Sequence, residues 1–325
     1  MDNVLEADGR GKRYGGRWAL RDGTFRLPAG RVAALGRQAL RRSARPGRAR
    51  RRPVGAGAGS PEPARRVDAV RDPGPVLTRT AELGPYFAWE RWDGDTAAWR
   101  PFADLLSAGV VAERVGVARR TLIAMTGLGE AAVGEREVAS ITFLGWASRL
   151  VSPLLGAVVT GAALPLPEIG QLWWRAVPGG PLPLAYGEVG LCDVSGWSGA
   201  EVAEAIGGLP ALSPLVAVFA DRFRLPEHLL WGNVASALGG AAGMIADAAP
   251  EHAERAAEVV AELLNRAPLA GTAELERPDP QRRRWFLVRH NCCLYYRIPG
   301  GGTCGDCVLT PAETRRQQWR KVLSR

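Results

Sequence analysis

The sequence predicts a predominantly helical α+β protein with a small cysteine-loop subdomain at its C-terminus. Apolar residues with helical spacing and helix-start signals recur between residues 76 and 266, whereas short strand patterns occur near 172–186 and 285–297. Four of the five cysteines lie within residues 290–309, which sets this segment apart from the rest. With 325 residues and 46% hydrophobic content, the chain is long enough to bury one large core or two small ones.

The pattern of the first 36 residues predicts short strands around a turn. They resemble the opening of an ABC-transporter ATPase, with Tyr14 at the position where that family stacks a tyrosine on adenine. A phosphate-binding loop needs the pattern G-x4-G-K-S/T, yet the only lysines are Lys12 and Lys321. We therefore expect residues 1–36 to be an ABC-ATPase-like remnant that does not bind ATP. The predicted strands are 4–7, 17–26 and 31–35.

Residues 37–75 are rich in Arg, Ala, Gly and Pro and contain few large apolar residues, which predicts a disordered linker. The formal net charge is +9, and the arginines between residues 37 and 66 account for the whole excess. A basic arm of this kind can bind polyanions, which stays open as an alternative to a solvated linker. For the globular part we expect no nucleic-acid partner.

From Val76 the composition is globular, and residues 76–280 are predicted to form one helical domain. An aromatic-rich stretch at 86–99 favours core packing. The run of small residues at 235–243 predicts either tight helix packing or a docking face for a ligand or the cysteine loop. The longest apolar run, 150–166, is too short for a transmembrane helix, so no transmembrane segment is expected. Predicted helices are 102–124, 136–150, one starting at Ser152–Pro153, 199–207, one starting at Ser213–Pro214, 226–246 and 250–266.

Two further features precede the cysteine segment. Residues 172–186 are typical of two short strands about a Pro-Gly-Gly turn. Cys192 follows them, and a buried core thiol is the expected role, because cysteine is among the most buried residue types.

The C-terminal unit, residues 281–325, contains the pattern C-C-x10-C-x2-C, formed by Cys292, Cys293, Cys304 and Cys307. Four thiolates select zinc, Cu(I) or an iron–sulfur cluster. The C-x2-C half is typical of a zinc knuckle, whereas the adjacent pair diverges and suits a broader 2Fe-2S cluster. A 2Fe-2S cluster, a zinc ion and a site without metal all stay open from spacing alone.

Three stretches resemble the FhuF-like siderophore ferric-iron reductases. They are Cys-Cys-Leu-Tyr-Tyr-Arg to Cys-Gly-Asp-Cys-Val-Leu at 292–309, Leu-Trp-Gly-Asn at 230–233, and Ser-Arg-Leu-Val-Ser-Pro at 148–153. The resemblance covers about residues 75–310. It implies that the four cysteines bind one 2Fe-2S cluster, which makes 281–325 an iron–sulfur subdomain and 76–280 a siderophore-binding, reductase-like domain.

Several residues near these motifs are candidates for other roles. Arg289 and Arg297 lie close to the cysteines in sequence and could raise the potential of an anionic cluster or attract a ferric chelate. Trp231 and Asn233 are further candidates for substrate binding. His290 is a less favoured cluster ligand. Residues 310–313, Thr-Pro-Ala-Glu, predict a capping box for a last helix.

The resemblance implies a ferric-siderophore reductase that uses a 2Fe-2S cluster for one-electron reduction of chelated Fe(III), releasing Fe(II) in the cytoplasm. No flavin or dinucleotide motif is present, so we expect a separate electron donor, either a protein or a soluble reductant. The alternative is a non-catalytic siderophore-binding or iron-sensing module stabilised by a cluster or zinc. Thiolate ligands and the polar N-terminal sequence favour the cytoplasm.

Overall fold

The computed structural model describes residues 72–324 in full, together with the backbone of two strands, β1 (Asn3–Tyr14) and β2 (Arg17–Pro28). The two strands pair antiparallel and include the predicted strands 4–7 and 17–26. The predicted strand at 31–35 and residues 37–71 of the predicted linker lie outside the described residues.

Residues 72–324 are predominantly helical with a few short strands, as the sequence predicts. The helices are α1 (Gly74–Ala81), α2 (Ala108–Thr126), α3 (Glu135–Gly161), α4 (Gly199–Gly207), α5 (Leu212–Phe223), α6 (Glu227–Ala248), α7 (Ala253–Leu264) and α8 (Ala312–Leu323). The strands are β3 (Glu90–Arg91), β4 (Arg100–Pro101), β5 (Ala163–Pro165), β6 (Leu172–Trp174), β7 (Leu184–Tyr186), β8 (Leu191–Asp193), β9 (Ala273–Glu276) and β10 (Phe286–Arg289).

The long helices α3 and α6 pack against each other at the centre, and α3 also contacts α1, α2, α5 and α7. Phe143 and Trp146 of α3 meet the ring of Phe219 on α5 edge to face, each with a centroid distance of 5.3 Å. Edge-to-face pairs add to the apolar burial itself. The core therefore forms around one helix, α3, and the cysteine segment approaches it through α6.

Pro153 lies inside α3, although the sequence predicts that one helix ends at 150 and another begins at Ser152–Pro153. A proline has no N–H, so the carbonyl of Arg149, four residues earlier, loses its helical partner. The indole N–H of Trp89 donates to that carbonyl at 2.8 Å. The prediction of two helices is therefore wrong, because a residue distant in sequence replaces the missing backbone donor.

The predicted strand pair near 172–186 is present as β6 and β7. β3 pairs parallel with β7, and β4 pairs antiparallel with β6, which gives the order β3-β7-β6-β4. The rings of Trp92 and Trp173 stack with centroids 3.9 Å apart, so the aromatic-rich stretch contributes to packing as expected. Cys192, on the β8 strand that pairs with β5, is buried in the apolar core, as predicted.

α3 and α6 are, by length and composition, apolar enough to cross a membrane. The bent pair α4–α5 meets the same criterion if it is taken as one span. The most apolar windows of α3 and α6 are 72% and 67% buried inside the folded chain. This burial favours a role in the core, and the expected absence of a transmembrane segment stays a prediction.

Gly156 of α3 lies where an added side chain has no room. A Cβ there would be 2.5 Å from Thr80 Cγ2 and 2.9 Å from Phe87 Cδ1. We expect Gly156→Ala to lower the free energy of unfolding by about 1–3 kcal/mol, because packed side chains must move. The matched control is Gly145→Ala on the same helix, where nothing lies within 4 Å of the new Cβ.

The control substitution should instead raise the free energy of unfolding by about 0.5–1 kcal/mol, because alanine has the higher helix propensity. Urea unfolding followed by circular dichroism measures both variants. Equal free energies for the two variants would contradict the packing of α3 described above.

Candidate metal centre

The first cysteine pair follows strand β10, which is fixed between β9 and α6. β10 pairs antiparallel with β9 over its whole length. On its other side the backbone of α6 is close: a Cβ at Gly239 would lie 2.6 Å from Leu287 Cβ, and one at Gly232 would overlap the side-chain amide of Asn291. The small residues of α6 therefore provide the docking face for the cysteine segment that the sequence allowed as one alternative.

The loop between the two cysteine pairs turns back on itself through glycines. Gly300 and Gly302 have φ values of 78° and 68°, in the left-handed region that favours glycine. A Cβ at Gly301 would lie 2.9 Å from the carbonyl oxygen of Tyr295. The three consecutive glycines are thus required by the turn that returns the chain toward the first pair.

The four sulfurs come from two divergent pairs. Cys293 Sγ and Cys304 Sγ are 3.9 Å apart, which joins the first pair to the second. The Cys292 sulfur accepts the backbone N–H of Leu294 at 3.3 Å, and the Cys307 sulfur accepts that of Leu309 at 3.4 Å. Cys293 and Cys307 are buried, whereas Cys292 and Cys304 are half-exposed.

The sulfurs of Cys293 and Cys304 are within hydrogen-bonding distance, and either thiol can be the donor. This hydrogen bond lowers the pKa of Cys293 and raises that of Cys304. Burial raises the pKa of Cys292, with the positive charge of Arg289 acting in the opposite direction. The contact with Cys304 therefore favours the thiolate form of Cys293, which is the form that binds metal.

The spacing of the Cys293–Cys304 sulfur pair is compatible with either a zinc ion or a 2Fe-2S cluster. A tetrahedral zinc ion with Zn–S bonds of about 2.3 Å would hold all four sulfurs about 3.8 Å from one another. The Cys293–Cys304 pair has this spacing. In a 2Fe-2S cluster each iron takes two thiolates, so paired sulfurs are sufficient.

A second observation supports an anionic cofactor at this place. Arg289 is 1% exposed, and its Nε and Nη1 atoms have no hydrogen-bond partner. Its backbone N–H donates to the carbonyl of Asp306 at 2.9 Å, so the residue is tied to the second cysteine pair as well as the first. Buried donors without acceptors are rare, and cluster sulfur would provide the missing acceptors. The residues present fit a 2Fe-2S cluster.

The predicted substrate residues are separated by the fold. Arg289 and Asn233 are buried and joined by a hydrogen bond of 2.7 Å from Nη2 to Oδ1. Arg297 is exposed and lies 3.4 Å from Glu137 at the start of α3. Trp231 lines an apolar cavity of about 190 Å³. The fold thus places Arg289 and Asn233 near the cysteines and Arg297 on the nearby surface. Trp231 lies in a cavity away from them.

Sequence reasoning missed Ser236 and Asp306. The hydroxyl of Ser236 on α6 donates to the carboxylate of Asp306, between the last two cysteines. Ser236 also lines a cavity of about 270 Å³ between α3 and α6. The position of Asp306 inside the C-x2-C motif was an available signal, whereas nothing in the sequence marks Ser236.

Large apolar side chains are exposed beside the cysteines. We call Tyr296, Val308 and Leu309 the apolar rim; they are 44%, 40% and 50% exposed. Elsewhere in residues 72–324, only Met125 is a large hydrophobic side chain with comparable exposure. An exposed apolar patch at a candidate redox site is typical of a surface that meets another molecule.

Contacts in the structure bear on two predictions for residues that flank the cysteines: His290 as a cluster ligand and a capping box at residues 310–313. The ring of His290 is engaged away from the cysteines, with Nδ1 3.1 Å from the Gly271 carbonyl and Nε2 3.6 Å from Glu274. The capping box predicted for α8 is wrong, because the helix has no side-chain cap and Thr310 Oγ1 donates instead to Thr303 Oγ1 at 2.9 Å. Thr310 therefore links the two ends of the second cysteine pair.

Residues 289–309 match the family model described as the FhuF 2Fe-2S C-terminal domain. No curated protein matches the chain. The matched segment contains all four cysteines and Arg289, which confirms the predicted FhuF-like resemblance and a 2Fe-2S cluster as the cofactor. The resemblance of residues 75–288 lies outside the match and stays a prediction.

Proposed function

We propose that the chain is a ferric-siderophore reductase, which reduces chelated Fe(III) by one electron and releases Fe(II) in the cytoplasm. The observation that carries the proposal is a four-cysteine 2Fe-2S site in a FhuF-like segment, with Cys292 and Cys304 half-exposed, because this family is associated with reduction of ferric siderophores. Thiolate ligation of this kind is suited to a reducing compartment.

The electron balance of the proposed reaction is simple. When bound, a 2Fe-2S cluster supplies one electron at a time. Fe(III) in the chelate gains that electron and becomes Fe(II), which the hard oxygen donors of a siderophore hold less tightly. No bond within the siderophore breaks. A separate electron donor, a protein or a soluble reductant, returns the electron to the site.

The two surfaces that adjoin the cysteine loops suit the two partners. The cavity between α3 and α6 is concave and mostly apolar, with the hydroxyls of Ser148, Ser152 and Ser236 on its wall. Such a cavity favours the ferric chelate, and the hydrogen bond from Ser236 to Asp306 connects its wall to the second cysteine pair. The apolar rim is exposed and lies beside Arg297, which favours contact with the electron donor.

The substrate roles of Arg297 and Trp231 belong to this proposal. Arg297 remains exposed despite its contact with Glu137, so an anionic chelate or donor can reach its guanidinium group. Trp231 lines a separate cavity together with Leu263 and Pro268. Its aromatic ring would suit a flat apolar portion of a siderophore.

The alternative is a siderophore-binding or iron-sensing module in which the cluster has a structural or sensing role. Its supporting observation is the depth of the site: Cys293 and Cys307 are each only 3% exposed. Buried clusters of this kind can stabilise a fold without turning over a substrate. The two functions differ in whether a ferric chelate oxidises the reduced protein.

A single-turnover experiment distinguishes them. Anaerobic protein is reduced with dithionite, separated from the excess and mixed with a ferric trihydroxamate chelate. We expect the visible absorption of the oxidised protein to return, with about one Fe(II) trapped per reduced cluster by a ferrous chelator. The gallium(III) form of the same chelate is the control, because it binds similarly but accepts no electron.

Protein that binds the ferric chelate and stays reduced would exclude the reductase and leave the binding or sensing module. Protein that is oxidised at the same rate by the ferric and gallium forms would also contradict the proposal, since that oxidation could not be electron transfer to the bound metal.

A further inference from the structure

Arg289 has hydrogen bonds but no partner of opposite charge. Its Nη2 donates to Asn233 Oδ1 at 2.7 Å and to Asn291 Oδ1 at 2.8 Å, and both acceptors are neutral amides. Its Nε and Nη1 atoms are buried and have no acceptor. No acidic side chain of the described residues forms an ion pair with it. An arginine cannot lose its charge to relieve this burial, so the site holds a fixed positive charge.

The orientation of that guanidinium group is set by a chain of contacts across the core. Asn233 on α6 is fully buried and donates through Nδ2 to the Ser140 carbonyl at 2.9 Å and to Ser140 Oγ at 3.0 Å. These two bonds turn its Oδ1 toward Arg289. An amide side chain is needed here, because one end must donate to α3 while the other accepts from the arginine.

Asn291 holds the same guanidinium group from the other side. Its Nδ2 donates to the carbonyl of His228 at the start of α6, at 2.8 Å. The absence of a side chain at Gly232 makes room for Asn291, since a Cβ there would overlap its amide group. Asn233, held by α3, and Asn291, held by α6, therefore occupy the Nη2 end of Arg289 and leave Nε and Nη1 as its open donors.

Arg289 is close to the cysteines along the chain and through its backbone contact. The chain reaches Cys292 three residues after Arg289, and the backbone of Arg289 is bonded to Asp306, between Cys304 and Cys307. The charge of Arg289 also acts on both Cys292 and Cys293. An anionic cluster held by these cysteines gains negative charge on reduction, so a fixed positive charge beside it stabilises the reduced form.

We propose that Arg289 is a positioning residue that raises the reduction potential of the 2Fe-2S site, and that Ser140, Asn233 and Asn291 fix it for this role. When the cluster is bound, the open N–H groups of Arg289 would supply hydrogen-bond donors to sulfur of the cluster or of its ligands. This proposal depends on the 2Fe-2S cofactor and not on the reductase activity. Arg289 could therefore have no effect on the potential in an active reductase, and it could raise the potential in a protein that is not a reductase.

The direct test is a redox titration of the holoprotein followed by absorption and EPR. We expect Arg289→Gln to make the midpoint potential more negative by at least about 59 mV, which is a tenfold change in a one-electron equilibrium constant. The matched control is Arg283→Gln, which removes the same charge from an exposed position just before β10. The midpoint potential of Arg283→Gln should differ from that of the unmodified protein by no more than about a tenth of that shift.

Equal potentials for the two variants would overturn the proposal. Because Arg289→Gln could fail to bind the cluster, a second measurement uses the unmodified sequence. Pulsed EPR of the reduced protein labelled with guanidino-15N arginine should show weak coupling from an arginine nitrogen. That coupling should persist in labelled Arg297→Gln protein, and its absence from the unmodified protein would also overturn the proposal.

Discussion

Cys304→Ala is expected to abolish the visible absorption of the purified protein and to reduce its iron content to background. Cys304 is the residue that joins the two cysteine pairs, through the 3.9 Å contact between its sulfur and that of Cys293. Without it one metal position keeps a single thiolate, and two iron atoms cannot both complete their coordination. Iron and sulfide analysis, with an absorption spectrum, measures the effect.

Cys192→Ala is the matched control, because it is the same chemical change at a buried cysteine on a different element, β8. This variant should keep its iron and its spectrum and lose about 1 kcal/mol of stability through the small cavity it creates. A Cys304→Ala variant that retains full iron, or a Cys192→Ala variant that loses it, would show that the ligands have been assigned wrongly.

Arg149→Ala is expected to lower the free energy of unfolding by about 3–5 kcal/mol, since each buried carbonyl left without a donor costs about 1–3 kcal/mol. Arg149 is 4% exposed and joins α3 to three separate backbone carbonyls. Burial lowers its pKa to about 10, so it remains charged at neutral pH. The carbonyls that accept from its guanidinium group are those of Pro85, Ala88 and Leu182.

Urea unfolding followed by tryptophan fluorescence measures this loss. Arg91→Ala is the control, because Arg91 pairs with Asp72 while both side chains remain more than half exposed, at 65% and 58%. Exposed pairs contribute about 0–1 kcal/mol, so this variant should unfold close to the unmodified protein. A loss below about 1 kcal/mol for Arg149→Ala would contradict a connecting role for this arginine.

The parts of the site that could be predicted are those coded by local sequence. The spacing of the cysteines, the glycine turn at 300–302 and the small residues of α6 each act within a few residues, so their roles follow from the sequence. The divergence of Cys292 and Cys293 is also local, because adjacent side chains cannot point the same way.

The parts that could not be predicted depend on contacts between distant segments. Asn233 and Arg289 were candidates for substrate contact, but their mutual hydrogen bond spans 56 residues and places both in the interior. The continuity of α3 through Pro153 depends on Trp89, and Thr310 bonds to Thr303 instead of capping α8. In each case a contact with a residue elsewhere in the fold replaces the conformation or contact that the local sequence favours.

The most direct test of the account is the metal content and the spectra of anaerobically purified protein, before and after reduction with dithionite. We expect about two irons and two sulfides per chain, visible absorption that bleaches on reduction, and a rhombic EPR signal that appears in the reduced sample. One zinc per chain with no EPR signal would contradict the account, because no one-electron chemistry would then be available at the four cysteines.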